Sequence, residues 1–283
     1  VASWTTYLDA KVGGRCYLSR NAYLRGWLAA TRRITEVDPD VLYLQVGTGR
    51  GILESVDRRL TVVQSVTCVG EDMASKSALC ALELEATRRW CRFADVVVAN
   101  STMHATGLIG IGVPESKVVV VRPASGMPYP CAGKRAAGRP LVCGHAGQAI
   151  WWKRKNLAER AALGIKAEFR SVNDLPHNEM PGWYRSLDLL LLPSVGDSWG
   201  LAASEAISCG VPAVVSPGAG VAEQIAETGA GVVARGNQPQ QFLDAVLRAV
   251  ENLETIRAAA RAAPLRTMSQ WARDLIAVVE DGL

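Results

Sequence analysis

The chain has 283 residues, 49% of them apolar and 20% charged, the balance of a globular protein with room for two domains of ordinary size. No run approaches the ~20 apolar residues of a membrane-spanning helix, and no basic and apolar leader opens the chain. Seven cysteines without a CxxC pair and three widely spaced histidines argue against a zinc site and for a reducing, cytoplasmic setting.

The net charge of +4 is uneven: residues 1–137 hold 17 Lys and Arg against 12 Asp and Glu, and residues 138–283 hold 14 against 15. The basic excess of the first half suits an anionic acceptor or surface, or simply a solvated arginine-rich face. The opening segment interleaves aromatic and basic residues (Trp4, Tyr7, Arg15, Tyr17, Arg20, Tyr23, Arg25, Trp27), with an ordinary turn at Gly13-Gly14. Asn21–Thr35 reads as an amphipathic helix, followed by an apolar strand at Val41–Val46 and a second at Leu60–Val66. Residues 73–93 form one long helical pattern. Ala94–Ser101 is a short buried strand ending in a cap, and Lys117–Val121 is another strand.

Residues 124–140 collect Pro, Gly, Ala and Ser and make the best linker. The alternation then restarts, with strands at Leu141–Cys143, Ala167–Val172, Leu187–Leu192 and Ala213–Ser216. Helices follow the pattern at Asn156–Leu163, Met180–Ser186, Leu201–Cys209, Val221–Glu227, Gln238–Asn252 and Arg266–Val279. Strand and helix in alternation predict an α/β protein with parallel sheets. The expected organisation is a first Rossmann-like domain at 1–137, a second at 138–265 and a C-terminal helix at 266–283. In such a chain a ligand belongs in the crevice at the carboxyl ends of the strands.

The informative stretch runs from Leu192 to Glu205. A buried strand ends at Pro193-Ser194, a loop carries Gly196, Asp197 and Gly200, and a helix begins near Leu201. Free N–H groups at that helix start suit a diphosphate. Asp197 in the loop can accept hydrogen bonds from sugar hydroxyls, and Glu205, two turns into the helix, can take both hydroxyls of a ribose. A lone acidic pair at this spacing is more often a cap and a surface acid, so the flanking residues decide. They read Pro193-Ser194, Asp197-Ser198-Trp199-Gly200-Leu201, Glu205-Ala206 and Cys209-Gly210-Val211-Pro212-Ala213-Val214-Val215-Ser216, then Gly218, Gly220 and Glu223. This segment resembles the donor motif of the family 4 retaining glycosyltransferases, which have the GT-B fold of two facing Rossmann-like domains. Gly144-His145-Ala146-Gly147 with Lys155-Asn156-Leu157 resembles the same family's diphosphate loop. The likeness is good from about residue 94 onward and weak before it.

The resemblance implies a nucleoside-diphosphate sugar as co-substrate, UDP-linked first and GDP-linked second, with no further cofactor and no metal. Asp197 would orient the transferred sugar, and Ser198, Trp199, Gly200 and Leu201 would offer backbone N–H groups to the phosphates. Lys155 would neutralise the leaving diphosphate beside the Gly147 loop, Glu205 would hold the ribose, and Leu175 with Val172 would lie against the base. The last helix would return to the first domain. Three departures stand out. The first acid is Asp197 where the family usually has Glu. The family's Arg before the lysine is replaced by Gln148 or Ala149, so a second cation falls to Lys153 or Arg154. The histidine expected after the Leu60–Val66 strand is absent from Gln64-Ser65-Val66-Thr67. Of the histidines present, His104 reads as structural or solvated, His145 as lying in the phosphate-side loop, and His177 as exposed.

The acceptor is open. A small molecule, glycan or lipid-linked hydroxyl is favoured over a hydroxymethylated base in DNA, for which the opening segment and the pairs Arg32-Arg33, Arg58-Arg59 and Arg88-Arg89 would grip phosphates. Two other classes compete: a sugar-nucleotide epimerase, which shares the fold, and a donor-binding protein without catalysis.

Overall fold

The computed structural model describes residues 41–46, 60–65, 70–125, 138–148, 150–264 and 266–282. The expected Asn21–Thr35 helix, the Gly13-Gly14 turn, the aromatic and basic opening segment, Arg32-Arg33, Arg58-Arg59 and most of the linker lie outside these residues, and with them most of the support for a DNA acceptor.

The strands are β1 (Val41–Val46), β2 (Leu60–Ser65), β3 (Val96–Ala99), β4 (Val118–Val120), β5 (Val142–Ala146), β6 (Glu168–Val172), β7 (Leu189–Leu192), β8 (Ala213–Val215) and β9 (Gly231–Val233). The helices are α1 (Glu71–Ala74), α2 (Ala78–Phe93), α3 (Thr102–Gly110), α4 (Lys155–Gly164), α5 (Met180–Arg185), α6 (Leu201–Ser208), α7 (Ala222–Thr228), α8 (Pro239–Glu251), α9 (Leu253–Ala262) and α10 (Met268–Gly282). They form two parallel sheets, ordered β1-β2-β3-β4 and β6-β5-β7-β8-β9.

The single helix expected over 73–93 is broken into α1 and α2. Ser75 Oγ donates to the Asp72 carbonyl at 2.9 Å, and Ser77 is extended at φ −155°. Short hydroxyl side chains compete for backbone groups in this way and end helices.

In the first sheet, side chains alternate between two faces. Val63 and Val97 pack with Trp90 and Cys91 of α2 and Leu108 of α3. Val62 and Val98 face the other way, against Trp271, Leu275, Val278 and Val279 of α10. The last helix therefore does return to the first sheet.

The second sheet is covered on both faces, which explains the uninterrupted apolar run of β7. Leu190 and Leu192 meet Trp199 and the α6 residues Ala203 and Ile207. Leu189 and Leu191 meet Ala158 and Ala161 of α4, Phe242 and Val246 of α8, and Ile256 of α9. All four leucines are at most 1% exposed, and each contributes roughly 2 kcal/mol by burial.

Asp188, at the amino end of β7, is fully buried. Its carboxylate accepts the Val142 N–H at 2.9 Å, Arg139 at 2.8 Å and the buried Arg257 at 2.7 Å. This ties β5, β7 and α9 together at the end of the sheet opposite the loops discussed next.

Candidate functional site

Chain order in the second sheet fixes where a ligand can sit. From β5 the chain moves outward to β6, then crosses back to place β7 on the other side of β5. The chain leaves β5 for α4 on one face of the sheet and β7 for α6 on the other, which makes the carboxyl ends of these two strands the expected place of a ligand. The first loop runs from Gly147 to Arg154, the second from Pro193 to Gly200.

The two loops are joined. The Val195 N–H donates to the Trp152 carbonyl at 2.8 Å, and Lys153 Nζ donates to Asp197 Oδ2 at 2.5 Å. Asp197 is also fixed through its backbone: its N–H donates to Gly218 O at 2.9 Å, and its carbonyl accepts the Gly220 N–H at 3.0 Å.

Arg154 takes a left-handed conformation, φ 51° and ψ 42°, immediately before α4. For a non-glycine residue this costs about 1–2 kcal/mol. The kink separates three neighbouring cations. Lys153 turns to Asp197, Arg154 Nη1 donates to the Asn237 carbonyl at 2.6 Å, and Lys155 opens α4. Lys155 is half-buried and has no hydrogen bond or ion pair among the described residues.

The backbone N–H groups of Ser198, Trp199, Gly200 and Leu201 likewise find no acceptor among the described residues. Gly200, at φ 98°, sets the entry to α6, and a Cβ there would lie 2.9 Å from Leu192 Cδ2 and 3.1 Å from Val221 Cγ1. Only glycine fits both the angle and the space. The result is a short row of free donors at a helix start, in a loop tied to the Trp152–Lys153 turn that leads into α4, suited to an anion.

Glu205 follows on α6, half-buried, and accepts a hydrogen bond from Tyr184 Oη at 2.7 Å. Burial raises its pKa above the usual carboxylate value, while the Tyr184 hydrogen bond and the nearby His177 pull it back down. Burial and the adjacent carboxylate push the Tyr184 phenol up, so this hydroxyl stays a donor at any working pH. Leu175 is half-buried in the turn after β6, next to β5 on the same edge of the sheet.

His145 is not in the loop. It is a β5 residue, fully buried, with neither ring nitrogen in hydrogen-bonding geometry to a described residue. Burial, helped by the charges of Lys153 and Lys155, lowers its pKa to about 4 against the opposite effect of the Lys153 backbone, so the ring is neutral. Its position follows from β5 running on through Gly144-His145-Ala146, beyond the expected end at Cys143. His104 is buried on α3 and His177 is exposed.

Tyr184 carries no signal of its own role in the sequence, because a tyrosine on a short amphipathic helix is read as core. The contacts from the first half to the donor loop were also illegible. Asn100 Nδ2 donates to Ser198 Oγ and Ser101 Oγ to the Ser198 carbonyl, both at 3.0 Å. Beside them, Arg122 pairs with Glu223 at 3.2 Å and Glu227 at 2.7 Å. Among the described residues no three His, Cys, Asp or Glu side chains are grouped to hold a metal ion, and no helix is long and apolar enough to cross a membrane.

Comparison with known proteins bears on this geometry. Residues 141–266 match the family model of glycosyl transferases group 1. A D-inositol 3-phosphate glycosyltransferase of Streptosporangium roseum is 34% identical over 90 residues, 32% of this chain and 21% of that protein. Its counterpart from Corynebacterium urealyticum is 33% identical over 109 residues, 38% of this chain and 26% of that protein. The matched stretch thus spans only a minor part of these relatives. Among solved structures, Anabaena Alr3699/HepE in complex with UDP and glucose superposes with a TM-score of 0.70 at 14% identity, over 93% of this chain and 83% of that one. Sucrose-phosphate synthase of Thermosynechococcus elongatus gives 0.67 at 14% identity, over 93% and 81%. These likenesses establish the GT-B fold of two Rossmann-like domains. On that fold, the chain carries the sequence pattern of the glycosyl transferases group 1 over residues 141–266, the half that holds the Asp197–Glu205 segment.

Proposed function

We propose that this chain is a retaining glycosyltransferase that moves a sugar from a nucleoside-diphosphate sugar to a hydroxyl acceptor. One observation carries the reading: Asp197 and Glu205, each held by its own partner, flank a row of unpaired N–H groups at the topological switch point, in a loop joined to the turn that precedes Lys155. An extended ligand with a sugar, a diphosphate and a ribose has that order of needs. Asp197 orients the transferred sugar, the N–H groups of Ser198, Trp199, Gly200 and Leu201 and the ammonium of Lys155 take the diphosphate, and Glu205 takes the ribose hydroxyls. Leu175 gives the base an apolar wall, and Gly147 lets the phosphate loop pass close. In the reaction the bond from the anomeric carbon to the phosphate oxygen breaks, the acceptor oxygen bonds to the same face, and its proton leaves on the departing diphosphate. Charge gathering on that diphosphate is what Lys155 and the N–H row stabilise.

The UDP and UDP–glucose complexes of HepE support a UDP-linked donor. A small-molecule, glycan or lipid-linked hydroxyl is favoured over DNA: of the arginine pairs that would grip phosphates only Arg88-Arg89 is described, and Arg88 Nε donates to the Ile111 carbonyl at 3.2 Å. Calorimetric titration with UDP-glucose and GDP-mannose tests the reading. Binding of one of them should be lost in Glu205→Ala, and Asp197→Ala should bind but not turn over. Undiminished binding by Glu205→Ala would remove the basis of the assignment.

A further inference from the structure

The two halves touch at a narrow point beside Asp197. Gly220 lies there, and a Cβ on it would stand 2.4 Å from the Ser198 carbonyl oxygen and 2.5 Å from Ser101 Oγ. Through this gap Ser101 Oγ donates to the Ser198 carbonyl and Asn100 Nδ2 to the Ser198 hydroxyl, each at 3.0 Å. Ser198 is buried, as are Asn100 and Ser101, so water does not compete for these groups.

Behind them is a buried support. The His104 N–H donates to Ser101 Oγ at 3.0 Å, which makes Ser101 the cap of α3. The Asn100 N–H donates to His104 Nδ1 at 3.2 Å. Nδ1 is then the acceptor, so a neutral ring carries its proton on Nε2, which lies 3.3 Å from Ser65 Oγ at the end of β2. A line of hydrogen bonds thus runs from the carboxyl edge of the first sheet to the residue following Asp197.

The division of labour is specific. The second half holds Asp197 itself, through Gly218, Gly220 and Lys153. The first half holds Ser198, through its hydroxyl and the Ser198–Trp199 peptide, and with it the start of the unpaired N–H row. We propose that Asn100 and Ser101 are positioning residues of the donor loop, supported by His104 and Ser65, so that the loop reaches its working geometry only when the two halves are together. This rests on the donor-site reading above.

Two variants of one residue separate positioning from folding. Ser101→Asp keeps an acceptor for the His104 N–H but has no proton to donate, and sets a charge against the Ser198 carbonyl. Ser101→Thr keeps both bonds. With UDP-glucose hydrolysis as the readout, Ser101→Asp should lower kcat by about tenfold, the order of one buried hydrogen bond. The Kd for UDP should change less than about twofold and Ser101→Thr should restore the rate; the charge that Ser101→Asp places at a fully buried position should lower its melting midpoint, which Ser101→Thr should hold. Hydrogen exchange of the peptide covering 195–201, measured without ligand, should quicken in Ser101→Asp and not in Ser101→Thr. Unchanged exchange and kcat in Ser101→Asp would overturn the positioning role while leaving the donor reading intact. A parallel fall of kcat and UDP affinity with unchanged exchange at 195–201 would reduce Ser101 to a structural cap. A wild-type chain that binds neither UDP nor UDP-glucose would end the donor reading, and this proposal with it.

Discussion

Replacing Tyr184 by Phe removes a single oxygen atom, and the structure states what that oxygen does. It donates to Glu205 Oε2 at 2.7 Å from a ring that is fully buried. The ring stays in Tyr184→Phe, so the packing of α5 on α6 is kept and the loss is one hydrogen bond to an ionised acceptor. Such a bond contributes about 1.5–3 kcal/mol. At neutral pH the variant should be less stable by that amount, because a half-buried carboxylate has lost its donor. The sign with pH follows from linkage. Burial already raises the Glu205 pKa, and the lost hydrogen bond was holding it down, so it rises further. The folded variant then takes up a proton more readily than the wild type, and its deficit shrinks as pH falls through the raised pKa. UDP binding, which needs the carboxylate, should lose affinity on acidification at a higher pH than in the wild type. Urea unfolding and calorimetry with UDP, each run from pH 5 to 8, read both effects. A stability deficit independent of pH, with an unmoved acid limb of UDP binding, would show that Tyr184 does not act through the charge of Glu205.

Three further outcomes are expected. Gly200→Ala combines a left-handed residue with a Cβ 2.9 Å from Leu192 Cδ2, and should cost about 3 kcal/mol in urea unfolding while weakening UDP binding; a wild-type midpoint would mean that the loop relaxes freely. His145, with its pKa lowered to about 4, leaves the unfolded chain to take up the proton first as pH falls below about 6.5, so stability declines by up to roughly 3 kcal/mol between pH 6.5 and 4 and no further below; His145→Leu should flatten that acid slope, and an unchanged slope assigns it to other groups. Arg257→Leu removes a buried partner from the fully buried Asp188 and should cost about 3 kcal/mol by chemical denaturation, although Arg139 and the Val142 N–H remain.

What could be read from the sequence was local. β1, β7, α6 and the loop between them are written in contiguous residues, with a valine or leucine run, a proline stop, glycines and an acid pair at a helical spacing. The elements that escaped were short or low in contrast. β9 is three residues behind Gly229 and Ala230, and α9, although Leu253, Ile256 and Ala260 repeat at helical spacing, follows α8 after Asn252 alone, with no glycine or proline to mark a new helix. α3 was hidden because only its cap, Ser101, announces it. Within the site, the acids were legible but their partners were not. Lys153 reaches Asp197 only because β5 and β7 are neighbours in the sheet, Tyr184 reaches Glu205 only because α5 lies on α6, and Asn100 reaches Ser198 across 98 positions of chain. Such pairings are properties of topology, and a linear pattern does not contain them. His145 illustrates the reverse error, in which a polar residue near a glycine suggested a loop while the strand ran on through it.

The return of α10 to the first sheet reverses the usual order of assembly. Val62, Val98 and Val121 are laid down early in synthesis, yet the face they form is closed by Trp271, Leu275, Val278 and Val279, which leave the ribosome after the whole second sheet. Domains generally fold in the order in which they emerge. Here the first domain must wait for the second, carrying an uncovered apolar face in the meantime, and a chain interrupted just past residue 266, where the matched family region stops, would strand that face for good.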